Sequence, residues 1–292
     1  MVAAFDGRLL NVQITIDGQI ISYDQEYFIL ASGTRYGSGN FGECAIRLDN
    51  ISKSDRDFII SKTTLWSLQR SLVQVVINCG RESYGTFELF RGTVISASVT
   101  QPPDIGLVLN CATGAAVLGY ANAFTAPPQA TFLSICQQVA NNITAAQPTN
   151  PIILDFQSTQ GGKLINNYSF TGPVTNQINK LAQLAEVRAF IENNKLKIRD
   201  IGIPDKAASI LISSQTGMIG VPQITQTGVR VKILMINDVE LNMPVQVVST
   251  VNAQANGNFY IFKMQFEVAS RDTPFYWVLD LTTPTGNLGV VQ

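Results

Sequence analysis

Asp200 and Asp205 come nearest, by type and spacing, to a catalytic pair, because paired carboxylates can hydrolyse glycosidic bonds. They lie in the segment Arg199-Asp-Ile-Gly-Ile-Pro-Asp205-Lys206, whose glycine and proline predict a turn. The neighbouring cations Arg199 and Lys206 compensate both charges. We therefore predict solvated turn charges here, and we assign no catalytic residue.

The composition excludes other kinds of chemistry. None of the 292 residues is histidine, so Ser-His-Asp catalysis, Cys-His catalysis and histidine-ligated metal sites have no imidazole to use. The 20 Lys and Arg residues are balanced by 21 Asp and Glu residues, which leaves no basic excess for neutralising phosphates. Only 14% of the residues are charged, against about 25% in an ordinary soluble domain, which suits a chain that packs against other subunits.

A glycine pattern raises the alternative of dinucleotide binding. Gly37-Ser-Gly39-Asn-Phe-Gly42 matches G-x-G-x-x-G, but that fingerprint needs a helix directly after the glycines to receive the pyrophosphate. Here the alternating run Cys44–Leu48 predicts a strand. We interpret the glycines as a flexible loop and predict no cofactor.

The cysteines predict buried free thiols. They lack a CxxC spacing and are 35, 32 and 25 residues apart, at Cys44, Cys79, Cys111 and Cys136. We therefore expect neither a disulfide framework nor a metal site. Trp66 and Trp277 fall within apolar stripes and are interpreted as core or interface anchors.

The beginning of the sequence does not resemble an export signal. Met1–Asp6 lacks the basic and apolar regions of a leader, and no apolar run approaches the roughly 18 residues that span a bilayer. We expect synthesis in the cytosol and no membrane anchor.

The first third of the chain has β periodicity. Val12–Ile16 alternates apolar and polar side chains, and Asp17-Gly18 then gives a hairpin signal. Further strands are predicted at 20–23, 27–31, 44–48, 72–79, 86–98 and 107–111. Between them, residues 52–68 predict a short helix with a serine cap at Ser52 or Ser54.

The middle of the chain predicts a small α+β domain. One helix is marked by apolar residues at helical spacing, namely Phe132, Ile135, Val139 and Ile143. A second apolar stripe runs from Val174 to Ala185, and the turn Asn193-Asn194 then joins two alternating strands.

From Ser209 onward the pattern is again β. Strands are predicted at 210–213, 223–225, 230–235, 244–249, 258–270 and 275–281, with a hairpin turn at Asn256-Gly257. Changes in composition place the domain boundaries near residues 115 and 205. The prediction is therefore a β-rich multidomain (α+β) chain, with a β domain at 1–115, an α+β region at 116–204 and a second β domain at 205–292.

The β segments resemble baseplate hub (tail hub) proteins of tailed bacteriophages. In the first domain the similar runs are Phe87-Glu-Leu-Phe-Arg-Gly-Thr-Val94, Pro102-Pro-Asp104 and Leu109-Asn-Cys-Ala-Thr-Gly114. In the last domain they are Ile212–Pro222, Gln226–Val229, Leu241–Val245, Asn256–Tyr260 and Phe275–Leu279. The similarity follows the order of most of the chain, although family members commonly have a glycine where Pro244 stands.

The resemblance implies two tail-tube-like β-barrel domains joined by the α+β region, in a homotrimer whose six barrels match a sixfold tail tube. It also implies a structural virion protein of the tail baseplate, assembled in the host cytoplasm. Its implied partners are the tail-tube or distal tail protein and a trimeric central spike, with DNA only in transit through the lumen. The strands around Val12–Ile16 and Arg230–Ser249 are then expected to belong to two copies of one design, related by about 60°.

Two other classes of function stay open on the sequence. One is a tail-associated cell-wall glycan hydrolase that uses paired carboxylates, which the missing histidine and the turn setting of Asp200 and Asp205 disfavour. The other is a receptor-binding tail protein whose exposed aromatic residues contact saccharides, which the hub-like turns of the last domain disfavour. A cell-wall hydrolysis assay and glycan-array binding discriminate them.

Overall fold

The computed structural model describes residues 6–37, 41–64, 66–68, 70–114, 121–146, 148, 151–201, 203 and 209–283. We call residues 1–115 the first block, 116–204 the middle block and 205–292 the last block. The described part of the first block contains β1 (Arg8–Ile16), β2 (Gln19–Tyr23), β3 (Phe28–Tyr36), β4 (Glu43–Asp49), α1 (Lys53–Thr63), β5 (Val73–Arg81), β6 (Gly85–Val99) and β7 (Gly106–Ala112).

The other two blocks follow the predicted order of mixed and then β structure. The middle block contains β8 (Ala121–Thr125), β9 (Ala130–Thr131), α2 (Phe132–Ala146), β10 (Ile153–Gln157), a 3-10 helix (Thr159–Gly162), β11 (Leu164–Ile165), β12 (Ser169–Pro173), α3 (Val174–Ala185), β13 (Val187–Glu192) and β14 (Lys195–Asp200). The last block contains β15 (Ile210–Ile212), β16 (Met218–Ile224), β17 (Gly228–Leu234), β18 (Pro244–Val247), a 3-10 helix (Ala253–Ala255), β19 (Gly257–Ala269) and β20 (Phe275–Thr282).

Local sequence signals explain the first hairpin. Along β1, alternate residues are buried and the others face outward, as the alternation predicts. Asp17 and Gly18 then adopt φ values of 50° and 84°, the left-handed conformations that a tight two-residue hairpin requires. β2 therefore returns antiparallel to β1, with Ile16 opposite Gln19.

The first and last blocks join in one open sheet. Its strands follow the order β16-β17-β20-β19-β3-β4-β7-β6-β5-β1-β2, while β15 and β18 branch from β19. The two blocks meet where Lys263–Ala269 of β19 pairs antiparallel with Leu30–Tyr36 of β3. We call this pairing the seam. Within the described residues of one chain, no barrel closes, so the predicted pair of barrels is not formed by a single chain.

The two blocks repeat one strand order. In the first block the strands lie in the order β3-β4-β7-β6-β5. In the last block β16-β17-β20-β19-β18 lie in the equivalent order, so β3 corresponds to β16 and β6 corresponds to β19. The long strands β6 and β19 correspond in detail. The first half of each pairs with the preceding strand, β5 or β18, and each then continues beyond a register shift along its other neighbour, β7 or β20. The two blocks therefore repeat one strand design in this part of their topology, whereas β1 pairs antiparallel with β5 and β15 pairs parallel with β18.

One hydrophobic core serves both blocks. The Phe266 and Trp277 rings of the last block meet at 5.9 Å, and Phe90 of the first block lies 6.4 Å from Phe266. Phe90 and Trp277 are at most 1% exposed. Burial of each such side chain contributes on the order of 2 to 3 kcal/mol, so the packing of one block stabilises the other.

The middle block has its own core. α2 and α3 bury their apolar stripes against a three-stranded sheet in the order β10-β14-β13. Asn193 and Asn194 adopt φ values of 46° and 59° and form the predicted hairpin turn between β13 and β14. The described residues of this block thus combine two helices with a small sheet.

A buried ion cluster fastens the middle block to the sheet. Glu192 at the end of β13 accepts hydrogen bonds from Arg35 Nε of β3 at 2.8 Å and from Lys197 Nζ at 2.7 Å. A second link joins Arg188 Nη1 to Asn242 Oδ1 of the last block at 2.7 Å. These polar contacts fix the orientation of the middle block because they need specific geometry.

Several sequence predictions are corrected. Ser52 caps α1 as predicted, and the helix ends at Thr63. Trp66 lies beyond the helix and is 88% exposed, so it is not a core residue, and its role as an interface anchor stays a prediction. Asn256-Gly257 is not a hairpin turn, because Gly257 already pairs with Val247 and the connection lies at 248–256. Trp277 is fully buried, as predicted.

Candidate functional site: the solvent face of the eight-stranded sheet

Eight strands of the sheet present a broad face that the core does not cover. They are the second half of β6 followed by β7, β4, β3, β19, β20, β17 and β16, and each pair is antiparallel. Because side chains alternate along a strand, every second residue points away from the core. The side chains that face outward are mostly small or neutral in the first block, including Ser96, Ser98, Asn110, Ala45, Ser32 and Thr34. We call this surface the eight-stranded face.

Charges on the eight-stranded face are nearly balanced. The basic residues Arg47, Arg230, Lys232 and Lys263 stand among the acidic residues Glu43, Glu267 and Asp280. Arg230 Nε donates to Asp280 Oδ1 at 2.5 Å, and Lys263 Nζ lies 4.0 Å from the other oxygen of Asp280. The hydrogen bond with Asp280 raises the pKa of Arg230, so this guanidinium stays charged and paired.

A second cross-strand group links Lys232 and Glu267 through Tyr276. Lys232 Nζ lies 3.4 Å from the centre of the Tyr276 ring, whose negative face attracts the cation. The Tyr276 hydroxyl donates a hydrogen bond to Glu267, and that bond, together with burial, raises the pKa of Tyr276 to about 12. The phenol therefore stays protonated at neutral pH, which suits a structural rather than an acid/base role.

The face is concave where the two blocks meet. A depression of about 500 Å³ is open to solvent and is lined by residues of both blocks, among them Thr34, Glu43, Asn110, Gln265 and Tyr276. Its described lining consists of strand residues. These walls offer the hydrogen-bonding groups of Thr34, Asn110 and Gln265, together with the Tyr276 phenol that is bonded to Glu267.

Asp200 does not lie in a solvated turn, which corrects the prediction for this residue. It ends β14, is 9% exposed, and accepts hydrogen bonds from the Ser158 hydroxyl and from Thr159 N and Oγ1 at 2.8 and 2.9 Å. Burial by itself would raise the pKa of Asp200, but these hydrogen bonds outweigh it and lower the pKa. Both carboxylate oxygens are thus occupied in capping the 3-10 helix, while Asp205 lies outside the described residues.

The structure also places the glycine pattern in part and all four cysteines. Residues 38–40 of the glycine pattern lie outside the described residues, but the segment leads from Gly37 to the strand Glu43–Asp49 and not to a helix. Cys44, Cys79, Cys111 and Cys136 are all free and buried. The described residues contain no cluster of three or more acidic or cysteine side chains suited to a metal ion.

The helices of the described part of the chain do not reach the length and apolarity needed to cross a membrane. Sequence reasoning did not find the eight-stranded face. Its signal is a set of small polar residues at alternate strand positions, such as Ser96 and Ser98, but that pattern also marks any solvent-exposed strand. Only the seam shows that such strands from both ends of the chain share one surface.

Comparisons with known proteins agree with this architecture. The sequence pattern of the protein family described as "Baseplate hub gp41" matches residues 9–281. No curated protein sequence matches the chain significantly. Among solved structures, a 43 kDa tail protein of prophage MuSo2 from Shewanella oneidensis is similar with a TM-score of 0.64 and 10% identity, over 94% of this chain and 98% of that chain.

Two further structures are similar over nearly the whole length of this chain. The tail protein from Neisseria meningitidis MC58 has a TM-score of 0.65 and 11% identity, over 95% of this chain and 97% of its own. The E. coli c3393 protein, a type VI secretion component with structural similarity to T4 tail proteins gp27 and gp5, has a TM-score of 0.57 and 8% identity, over 94% and 78%. At these identities the likeness concerns the fold.

Proposed function

The chain belongs to the baseplate hub family of phage tails, and we propose that three copies form a ring that links the tail tube to the central spike. In this proposal the eight-stranded face lines the channel through which DNA leaves the particle. The protein acts as a structural component and catalyses no reaction. The match over residues 9–281 supports the hub assignment, and the features below support the ring and the channel.

The repeated strand order carries the proposal. A threefold ring can match a sixfold tube if each chain presents two equivalent blocks, and β3–β7 and β16–β20 provide them. Within the described residues, the sheet of eight strands ends in two free edges, β16 on one side and the second half of β6 on the other. Because the eight strands alternate in direction, β16 of one copy and β6 of the next are antiparallel when copies join head to tail.

Closure of the ring through these edges gives a channel of suitable size. Three copies contribute 24 strands, and strands about 4.8 Å apart with a tilt of about 40° form a barrel roughly 50 Å across between backbones. After side chains are allowed for, the lumen admits a DNA duplex. A nearly neutral lining, with Arg230 and Lys263 held by Asp280, does not retain phosphates.

The fold also supports the proposed partners. The c3393 protein resembles both gp27 and gp5 of T4 tails, and a VgrG protein in complex with PdpA is similar to this chain with a TM-score of 0.55. By analogy, we assign the two ends of the ring to the tail-tube or distal tail protein and to a trimeric spike. Assembly takes place in the host cytoplasm, and no membrane anchor is required.

Mass measurement and electron microscopy test the ring. We expect the purified chain, alone or with its spike and tube partners, to have the mass of a trimer by light scattering. Microscopy of intact tails is expected to place the eight-stranded face at the lumen, with the two blocks of each chain related by about 60°. A monomer under all these conditions, or an eight-stranded face that points outward, would contradict the proposal.

Reversing a charge on the channel lining tests its role. Glu43 is exposed on the eight-stranded face, and Glu43→Lys would add a threefold set of cations to the lumen. We expect DNA ejection to become slower, most strongly at low salt, because phosphates would bind transiently. Glu82→Lys, at an exposed turn away from this face, is the control. Ejection is timed by the fluorescence of a dye that binds the released DNA.

A further inference from the structure

The pairing of β3 with β19 at the seam has a geometry that two copies of the chain can repeat between them. β3 pairs with β19 inside the chain, but within the described residues the corresponding edges, β16 and the second half of β6 beyond Thr93, have no strand beside them. We propose that a second copy of this chain docks its β16 on the free edge of β6, in the same register as the seam. The inference rests on the ring proposed above and specifies it to individual residues.

Two bulges align the long strands. β6 shifts register against β7 between Val94 and Ser96, and β19 shifts against β20 between Ile261 and Lys263. A bulge inserts one extra residue at a defined place and so marks equivalent positions in related strands. Ser96 therefore corresponds to Lys263, and each later residue of β6 has its counterpart in β19.

The residue pairs between neighbouring strands extend this alignment across the sheet. From Ser96 the pairs lead through β7 and β4 to Ser32 of β3. From Lys263 they lead through β20 and β17 to Gln223 of β16. Since Glu267 is opposite Ser32 at the seam, its counterpart Thr100 is expected to be opposite Gln223 of the next copy.

The apolar residues at this contact are complementary in size. At the seam Phe266 lies opposite Gly33, where an added Cβ would come within 2.5 Å of the phenyl ring. The counterparts are Val99 and Ile224, so a smaller residue replaces phenylalanine and a larger one replaces glycine. Val99 is 43% and Ile224 is 59% exposed in the single chain, and pairing in the register of the seam would bury both.

Prolines limit the contact at the same end on both strands. Pro222 precedes Gln223 on β16, and Pro102 follows Gln101 just beyond β6. A proline has no backbone N–H for a ladder, so pairing stops there. At the other end β16 turns into β17 after Thr225, whose N–H donates to the Gly228 carbonyl. The proposed contact therefore covers Ser98–Thr100 of one copy and Gln223–Thr225 of the next.

A loop beside the free edge provides apolar anchors. Trp66 and Leu68 are 88% and 105% exposed and precede β5, whose pairing with β6 ends at Gln74 opposite Thr93. In the corresponding segment before β18, Val239 and Leu241 are buried, and Leu241 lies 3.8 Å from the Cβ position of Gly37, directly after β3. The matching turn between β16 and β17 of the next copy is thus the surface that covers Trp66 and Leu68.

Paired cysteines test the register directly. Ser98 and Thr225 are expected to be opposite each other across two copies, within the Cα distance of about 4.4 to 6.8 Å that a disulfide requires. We expect Ser98→Cys/Thr225→Cys to form covalent trimers after oxidation by copper phenanthroline, in purified protein and in assembled tails. The buried native cysteines leave little background.

The control pair uses the same strands in the wrong register. Ser96→Cys/Gln223→Cys is displaced by four residues, or about 13 Å, and is expected to give no covalent trimer. Cross-linking of this control pair instead of Ser98→Cys/Thr225→Cys in a protein that is otherwise trimeric would overturn the register but leave the ring intact. A wild-type chain that is monomeric alone and in the presence of its partners would overturn both proposals.

The apolar anchors have a separate test. Trp66→Ser with Leu68→Ser is expected to raise the concentration at which the ring dissociates by about tenfold or more, measured by mass photometry. Ile153→Ser, which changes a 61% exposed residue of the middle block, is the matched control and should leave the dissociation nearly unchanged. Equal dissociation of wild type and the double variant would overturn the role of the loop.

Discussion

Glu192 shows how one buried carboxylate links two blocks and makes stability depend on pH. Burial alone would raise its pKa, but Arg35 and Lys197 outweigh that effect and lower the pKa to about 2. Because the folded pKa lies below the unfolded value, the stabilisation is complete above about pH 4.5 and is lost as the pH falls towards 2. We expect Glu192→Gln to lower the free energy of unfolding by about 3 kcal/mol at pH 7, since two buried cations lose their partner.

Urea denaturation at pH 7 and pH 3 measures this effect, with the exposed Glu26→Gln as the control. The difference between wild type and Glu192→Gln should shrink at pH 3. An equal difference at both pH values would show that the carboxylate charge is not the stabilising feature.

The cysteines give a second prediction at the residue scale. Burial raises the pKa of all four thiols, to about 12 for Cys136, so each stays a protonated and unreactive thiol at neutral pH. We expect no reaction of the native chain with Ellman's reagent at pH 8 and four thiols per chain in guanidinium. The Ser134→Cys variant, at an exposed position of α2, is the control and should react at once. Rapid reaction of a native thiol would indicate local opening of the sheet.

At the scale of single elements, the carboxylate of Asp200 holds the 3-10 helix Thr159–Gly162. Asp200→Asn removes the charge that Ser158 and Thr159 bind, and we expect a loss of about 1 to 2 kcal/mol in the free energy of unfolding. Amide exchange of Thr159 should also become faster. The exposed Asp238→Asn is the control. An unchanged stability would restore the solvated turn that the sequence predicts.

The same elements show what sequence patterns can and cannot predict. The alternation of β1, the stripe of α3 and the Asn193-Asn194 turn are local signals, and the structure follows them. Asn256-Gly257 carries an equally strong local signal, but β19 begins at Gly257 because pairing with β18 extends that far. The seam could not be predicted, since it joins strands from opposite ends of the chain and no local pattern specifies their register.

For the whole molecule, the shared sheet and core predict that the first and last blocks unfold together. Gly33→Ala at the seam is a suitable perturbation, because an added Cβ would lie 2.5 Å from both the Glu43 backbone oxygen and the Phe266 ring. We expect a loss of about 1 to 3 kcal/mol from this overpacking. Gly162→Ala is the control, since no atom lies within 4 Å of its Cβ position.

Probes in each block distinguish one cooperative unit from two. In a Trp66→Phe background the buried Trp277 becomes the sole tryptophan and reports on the last block by fluorescence, while amide exchange in β1 and β5 reports on the first. If the seam couples the blocks, Gly33→Ala lowers both free energies of unfolding equally. Different values at the two probes would mean that each block folds on its own, and the two halves of the eight-stranded face would then be able to move independently in the ring.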